Sequence, residues 1–436
     1  MSVDDRARSQ VLLSNFGSFG DVIPFLQMGK TLNARGHEVT FATTANLRPQ
    51  VEAAGLIFRS IGTSKRMDAL HADPGLWDPK RGLELMYDLA VELTEPSRQI
   101  VAQEYARSVA EGRSFAAVGG MLSFGLRLAR DRHPFPLMTV YLSPFLMRSR
   151  HRPPVLPGID LPSWLPGPVV HRIQRLVERW IVDPKRLPSL NAIRLRHGLP
   201  RIDNLSDWLP SPDRLCLLTP AWFASPQSDW PPQTAQTAFP RSSAEDLTGA
   251  MSEPLRAFLE AGEKPVVVTY GSTMQHGADF FRTASEACAR AGQRAVLVTG
   301  AVGQGCVPPR LDQIIVPHAP FGELLPQARA LIHHGGIGTC FEAFDAGIPQ
   351  IVVPNAFDQM DNAHRVTTLG LGLRLDRQRF AKTARETLTR LLADEAIARN
   401  CAEARRRCAD QDGIVQACDL VETMFARPRL PSPVMA

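Results

Sequence analysis

Near the start of the chain two short apolar runs flank a glycine turn and a helical stretch, and the same rhythm returns in the second half. Val11-Leu12-Leu13 leads through Gly/Ser-rich Asn15 to Gly20 into apolar residues at helical spacing from Val22 to about Arg35, then into β-branched His37 to Thr43. That order is a βαβ unit, whose parallel strands need both faces of their sheet covered. Strand-like runs at Leu56 to Ser60, Phe115 to Gly119, Leu137 to Ser143 and Arg214 to Thr219 extend the layer. A Pro-, Ser- and Gln-rich interval between about Trp222 and Glu253 breaks the pattern. It restarts with runs at Pro265 to Tyr270, Ala295 to Thr299, Gln313 to Val316, Ala330 to His333 and Gln350 to Pro354. The reading is an α/β chain of two Rossmann-like doubly wound domains, residues 1–240 and 241–426, facing across a cleft, with a tail at 427–436.

Composition narrows the function. The 436 residues carry 49 Lys+Arg against 44 Asp+Glu, a net +5 too small and too dispersed for a nucleic-acid binder. No apolar stretch reaches membrane-spanning length and the first residues are acidic, so a cytoplasmic protein is expected. Seven cysteines form no CxxC pair, which points to reduced thiols and away from disulfides or a structural zinc. A Pro- and Arg-rich insertion from Phe145 to Pro184 holds Val169, Val170, Ile173, Leu176, Val177, Trp180 and Ile181 at helical spacing, with His171, Arg172, Arg175 and Arg179 between them. Two readings stand for it: a surface helix packed on its own domain, or a basic amphipathic helix in peripheral contact with an anionic membrane or a lipid.

The chemistry concentrates at His333-His334-Gly335-Gly336-Ile337-Gly338-Thr339 and at Phe357-Asp358-Gln359. A strand ends at the histidines, and the glycines turn the backbone into a helix whose first N–H groups are free to meet an anion. This is a phosphate cradle: Gly336 and Gly338 offer backbone, His334 a ring donor and Thr339 a hydroxyl, while Asp358 and Gln359 suit sugar hydroxyls. Ser272 and Thr273, after the 265 to 270 strand, offer a second set of donors at the same crevice. Adjacent in a strand, His333 and His334 point to opposite sides, and Asp410-Gln411-Asp412 lacks a strand before it, so no metal site is expected.

The 333 to 363 segment resembles the donor-binding signature of family 1 glycosyltransferases of the GT-B fold. Gly17-Ser18-Phe19-Gly20-Asp21-Val22-Ile23-Pro24 with Arg35-Gly36-His37 is similar to the amino-terminal signature of that family. Asp73 to Lys80, Pro220 to Ala224 and Gln227 to Pro231 narrow the resemblance to the rhamnosyltransferases of rhamnolipid synthesis. The resemblance implies inverting, metal-independent transfer without a cofactor, from dTDP-L-rhamnose or a UDP-hexose to a hydroxyl of an apolar, hydroxyalkanoyl-type acceptor. Asp21 stands where relatives carry a catalytic His, which makes it the candidate base; the competing reading is a helix cap. His318 aligns with the family's base-stacking Trp, with Ala319 reading the base edge, and Phe19, Trp77, Phe145 and Trp164 are the candidate acceptor contacts. The rival functions are a UDP-glucose-dependent natural-product or sterol glucosyltransferase, a sugar-nucleotide 2-epimerase, and a non-catalytic binding subunit.

Overall fold

The computed structural model describes residues 9–78, 81–156, 161–162, 164–241, 250–271, 277–300, 305, 307–409 and 411–425. Ser272, Thr273 and the expected tail at 427–436 lie outside the described residues. The first sheet comprises β1 (Ser9–Ser14), β2 (Glu38–Thr44), β3 (Ile57–Gly62), β4 (Ser114–Gly120), β5 (Leu137–Tyr141), β6 (Arg214–Leu217) and β7 (Thr234–Gln236), ordered β3-β2-β1-β4-β5-β6-β7. The second comprises β8 (Val266–Thr269), β9 (Ala295–Val298), β10 (Gln313–Val316), β11 (Ala330–His333), β12 (Gln350–Val352) and β13 (Gly372–Arg374), ordered β10-β9-β8-β11-β12-β13. Every pairing is parallel. These are the two facing doubly wound domains of a GT-B architecture. β1, β8 and β9 are buried along their whole length, as strands covered on both faces must be.

Strand order reverses between β1 and β4 in one sheet and between β8 and β11 in the other. Loops leaving neighbouring strands at such a point part to opposite faces and open a crevice at the carboxyl ends. The glycine turn after β1 and the cradle after β11 both lie at these openings.

The last helix, Gly413–Phe425, falls in the expected second domain by sequence yet packs on the first. Ile414, Ala417, Cys418, Val421 and Met424 join one core cluster with Val22, Phe25 and Met28 of helix Phe19–Ala34. The Arg35 guanidinium meets Asp419 at 2.8 Å, and His37 contacts Glu422 at 3.1 Å while stacking on Phe425. The apolar strip of this helix thus ties the end of the chain to the first sheet. Asp412, from the DxD run, caps the same helix by accepting from the Ile414 N–H at 2.8 Å, while Asp410 lies outside the described residues.

The insertion helix is anchored on its own domain, with part of its apolar strip turned to solvent. Helix Gly167–Val177 continues through a π-helical turn, Glu178–Val182, into Asp183–Arg196. Its anchors are polar: Arg148 pairs with Glu178 at 2.9 Å, Arg175 with Asp207 at 2.8 Å, and Asp183 accepts from Asn204 at 3.0 Å. Val170 is buried, whereas Val169, Leu176, Trp180 and Ile181 face solvent.

Candidate active site

On the first-domain side, β1 ends at Ser14 and the chain turns through Gly17, at φ 131°, into helix Phe19–Ala34. Asp21 is in the first turn of that helix, where its Oδ2 accepts from both the Ser18 N–H at 2.9 Å and the Ser18 hydroxyl at 2.7 Å. It closes the capping box of that helix at the third helical position, with Ser18 as the N-cap; Oδ1 has no hydrogen bond among the described residues. A Cβ on Gly17 would lie 2.6 Å from Asp21 Oδ2, so glycine is needed for space as well as for its positive φ. Buried Asn15 donates to the Asp21 carbonyl at 2.7 Å and holds the turn. Desolvation in the cleft raises the Asp21 pKa above the ordinary carboxylate range, and the two Ser18 hydrogen bonds oppose it.

On the second-domain side, β11 ends at His333, and Gly335, at φ 96°, turns the backbone toward helix Ile337–Ala346. Its N-cap is Gly336, which has no side chain to cap the first N–H groups, so the amides of Ile337, Gly338 and Thr339 are left without a side-chain cap. The His334 ring sits between two glycine turns: a Cβ on Gly271 would come within 3.3 Å of Nε2, and one on Gly336 within 2.8 Å. Burial holds its pKa at about 4, so at neutral pH it is an uncharged ring with one N–H to give. Its Nδ1 has no partner among the described residues. His333 serves the fold. Its Nδ1 accepts from the Gly335 N–H at 3.1 Å, which leaves the proton on Nε2 to donate to Gln350 Oε1 at 2.8 Å.

The Asp358 carboxyl completes the second-domain face. Desolvation raises its pKa to about 6; the Asn362 hydrogen bond and the nearby Ser143 hydroxyl work against this, and the charge of Asp21 across the cleft adds to it. Gln359 departs from the expected sugar contact in part. Its Oε1 accepts from the N–H groups of Asn355 and Ala356 at 2.8 and 3.0 Å, so the acceptor half holds the loop and the amino group alone is left for a ligand.

Between these residues, Phe357 is the one non-glycine with positive φ among the described residues, at 56°. This conformation carries its ring into the first domain, where it meets Trp77 edge-on at 6.0 Å. Trp77 in turn packs on the second-domain core, and its carbonyl accepts from Asn355 Nδ2 at 2.8 Å. Trp77 is thus an interdomain contact, half-buried between the two halves rather than open on one wall.

Residues 303–418 match the family of the erythromycin biosynthesis protein CIII-like C-terminal domain, and residues 11–110 match the glycosyltransferase family 28 N-terminal domain. The O-mycaminosyltylonolide 6-deoxyallosyltransferase of Streptomyces fradiae is 30% identical over 433 residues, covering 95% of this chain and 97% of the relative. The chain belongs to the GT-B glycosyltransferases of the family 1 type. Solved structures share the fold: CalG4, the calicheamicin glycosyltransferase, at TM-score 0.71 and 20% identity, over 96% of this chain and 99% of that one. The spinosyn rhamnosyltransferase SpnG complexed with thymidine diphosphate matches at TM-score 0.62 and 18% identity, over 94% and 99% of the two chains.

In this glycosyltransferase the charge of Asp21 reaches Asp358, Asn362 joins Asp358 to Gly335, and the His334 ring lies against Gly336; Gly338 and Thr339 follow in the same helix start, and Gln359 is next to Asp358. Phe19 is 41% exposed at the start of the first helix, and Phe145 is half-buried just beyond β5. Trp164 is 77% exposed, ahead of the insertion helix. His318 is exposed after β10, beside buried Ala319. Reading the sequence assigns no role to Ser143, Asn362 or Phe357; Asn362 has a signal, since it lies four positions after Asp358 on one helix face. Among the described residues no group of three or more potential metal ligands converges, and no helix is long and apolar enough to cross a membrane.

Proposed function

We propose that the enzyme transfers L-rhamnose from dTDP-L-rhamnose, with inversion and without a metal, to the hydroxyl of an apolar acceptor of hydroxyalkanoyl type. The observation that carries the transfer is the facing of Asp21 and the uncapped 336–339 helix start from the two switch points. Asp21 takes the acceptor proton, the acceptor oxygen bonds to the anomeric carbon, and the bond from that carbon to the phosphate oxygen breaks with its electron pair. The negative charge gathering on the nucleoside diphosphate meets the amides of Ile337, Gly338 and Thr339, the Thr339 hydroxyl and the His334 ring N–H. Asp358 and the Gln359 amino group hold sugar hydroxyls, His318 covers the base and Ala319 reads its edge. Ser272 and Thr273 are assigned to the donor on sequence alone.

A 6-deoxyhexose donor is supported by the 6-deoxyallosyl activity in the name of the Streptomyces fradiae relative, and a thymidine nucleotide by the diphosphate in the SpnG complex. Phe19, Phe145 and Trp164 on the first domain suit an apolar acceptor. The exposed Val169, Leu176, Trp180 and Ile181 beside Arg172 and Arg179 support peripheral contact with an anionic membrane carrying such a lipid. A second reading, a macrocyclic or polyketide aglycone as acceptor, is favoured by the tylonolide named for the relative.

The test is the mass of the product formed from dTDP-L-rhamnose, dTDP-glucose and UDP-glucose with a hydroxyalkanoyl lipid and with a macrolactone aglycone. Rhamnosylated lipid supports the first reading, and product from the aglycone alone replaces it with the second. Flotation with anionic and zwitterionic vesicles tests the membrane contact, and binding to neither removes it.

A further inference from the structure

We infer that Asn362 is a positioning residue that couples seating of the first domain to the shape of the donor cradle. Its side chain is fully buried and meets three separate segments of the chain. The amino group donates to the Gly335 carbonyl at 2.9 Å and to Asp358 Oδ2 at 2.8 Å, while Oδ1 accepts from the Ser143 hydroxyl at 3.3 Å. Gly335 is the turn that opens the cradle helix, Asp358 faces Asp21, and Ser143 belongs to the other domain, just beyond β5. Reversed, the amide would set its oxygen against a carbonyl and a carboxylate, so the three partners admit one orientation.

The preceding residue repeats the arrangement. Asp361 is 1% exposed and accepts from the Val155 N–H of the first-domain insertion at 3.0 Å and from Arg365 Nε at 2.7 Å. Two successive positions of helix Gln359–Thr368 therefore take hydrogen bonds from two loops of the opposite domain. Parting of the domains withdraws Ser143 and Val155 and leaves Asn362 Oδ1 without its donor, which frees the amide to turn away from Gly335 and Asp358. Seating restores it, so the glycine turn and the sugar-holding carboxyl take their working positions when the acceptor-bearing domain arrives.

The inference rests on the proposed placement of the donor against residues 333–339. A double-mutant cycle tests it, with Ser143→Ala, Asn362→Ala and both together, read as kcat, as Kd for thymidine diphosphate and as thermal midpoint. Asn362→Ala lowers kcat by about tenfold or more, as loss of a buried hydrogen bond to a charged group does. Ser143→Ala lowers kcat while leaving the Kd for thymidine diphosphate in the absence of acceptor within about twofold, because that ligand alone does not require the seated domain. The double variant is no worse than Asn362→Ala, and Ser143→Thr, which keeps the hydroxyl, restores turnover. Effects that multiply, or a Ser143→Thr as slow as Ser143→Ala, overturn the coupling. Should Asn362→Ala fail to fold, Asn362→Ser completes the same cycle. Independently, a His334→Ala variant with unchanged Kd for thymidine diphosphate overturns the donor placement itself, whichever way the cycle falls.

Discussion

Asp21 and Asp358 face each other from opposite domains, near enough that charge on the first raises the pKa of the second. Each is also raised by desolvation, which the Ser18 hydrogen bonds oppose for Asp21 and the Asn362 hydrogen bond, with the nearby Ser143 hydroxyl, opposes for Asp358. Repulsion is mutual, so the two titrate as a coupled pair, and removing one charge eases ionisation of the other. With Asp21 as base, Asp358→Asn shifts the acid limb of the kcat/KM profile to lower pH while reducing its height through lost sugar contact. A limb that stays in place means the two carboxyls do not share their charge in the working enzyme.

Ser18→Ala acts in the opposite direction. Loss of the hydroxyl removes one of the bonds that favour the ionised Asp21, so its pKa rises and the acid limb moves to higher pH. The same change weakens the helix start by about 1 kcal/mol, seen as a lower denaturation midpoint. A shift in stability with no shift in the pH profile would assign Asp21 to capping alone.

The two histidines after β11 make stability sensitive to acid. Burial holds His334 at about 4 and His333 at about 3, both below the ordinary histidine value of 6.5, so the unfolded chain takes up protons where the folded one does not. Their contribution is present in full above 6.5 and is lost as pH falls, through about 4 for His334 and about 3 for His333. His334 alone accounts for on the order of 3 kcal/mol of that loss. Asp358, raised to about 6, runs the other way: its contribution is present below 3.8 and lost as pH rises through about 6. Urea midpoints measured from pH 8 to pH 4 should fall below pH 6.5, and His334→Gln should flatten the fall. An unchanged slope in that variant would show that His334 is not buried neutral.

Gly17→Ala is expected to lower both stability and turnover, since the φ of 131° disfavours a side chain and the added carbon would come 2.6 Å from Asp21 Oδ2. Gly36→Ala, also at positive φ but with open space around it, serves as the control for strain alone. Equal turnover in the two variants would separate the Gly17 turn from the placement of Asp21.

Why some of this is legible in the residues and some is not has a physical basis. Buried parallel strands read as unbroken apolar runs, so β1, β8, β9 and β11 stand out. β7 and β13 have three residues each, at the outer edge of their sheets, and leave no periodicity to read. The apolar strip of Gly413–Phe425 carries no local mark of the sheet that receives it. Asp21, His334 and Gly336 are visible because glycine turns have a local signature, whereas the Ser143–Asn362 bond joins residues 219 positions apart. Two of the segments that narrow the resemblance toward rhamnolipid enzymes serve packing here. Trp222 and Phe223 join the aromatic cluster of Phe239 and Phe344, and Asp229 accepts from Ser149 at 2.8 Å and from the Arg150 N–H at 2.7 Å. They describe the scaffold more than the ligand, so the sugar and the acceptor call for assay.

The most direct measurement is the turnover of Asp21→Asn with a nucleotide sugar that the wild type uses, alongside the Kd of both proteins for that donor. The amide oxygen of Asn can still accept from Ser18, so the helix start is retained while the base is lost. Turnover lower by about a hundredfold or more at nearly unchanged donor affinity is the predicted result. Turnover equal to wild type would contradict Asp21 as the group that takes the acceptor proton.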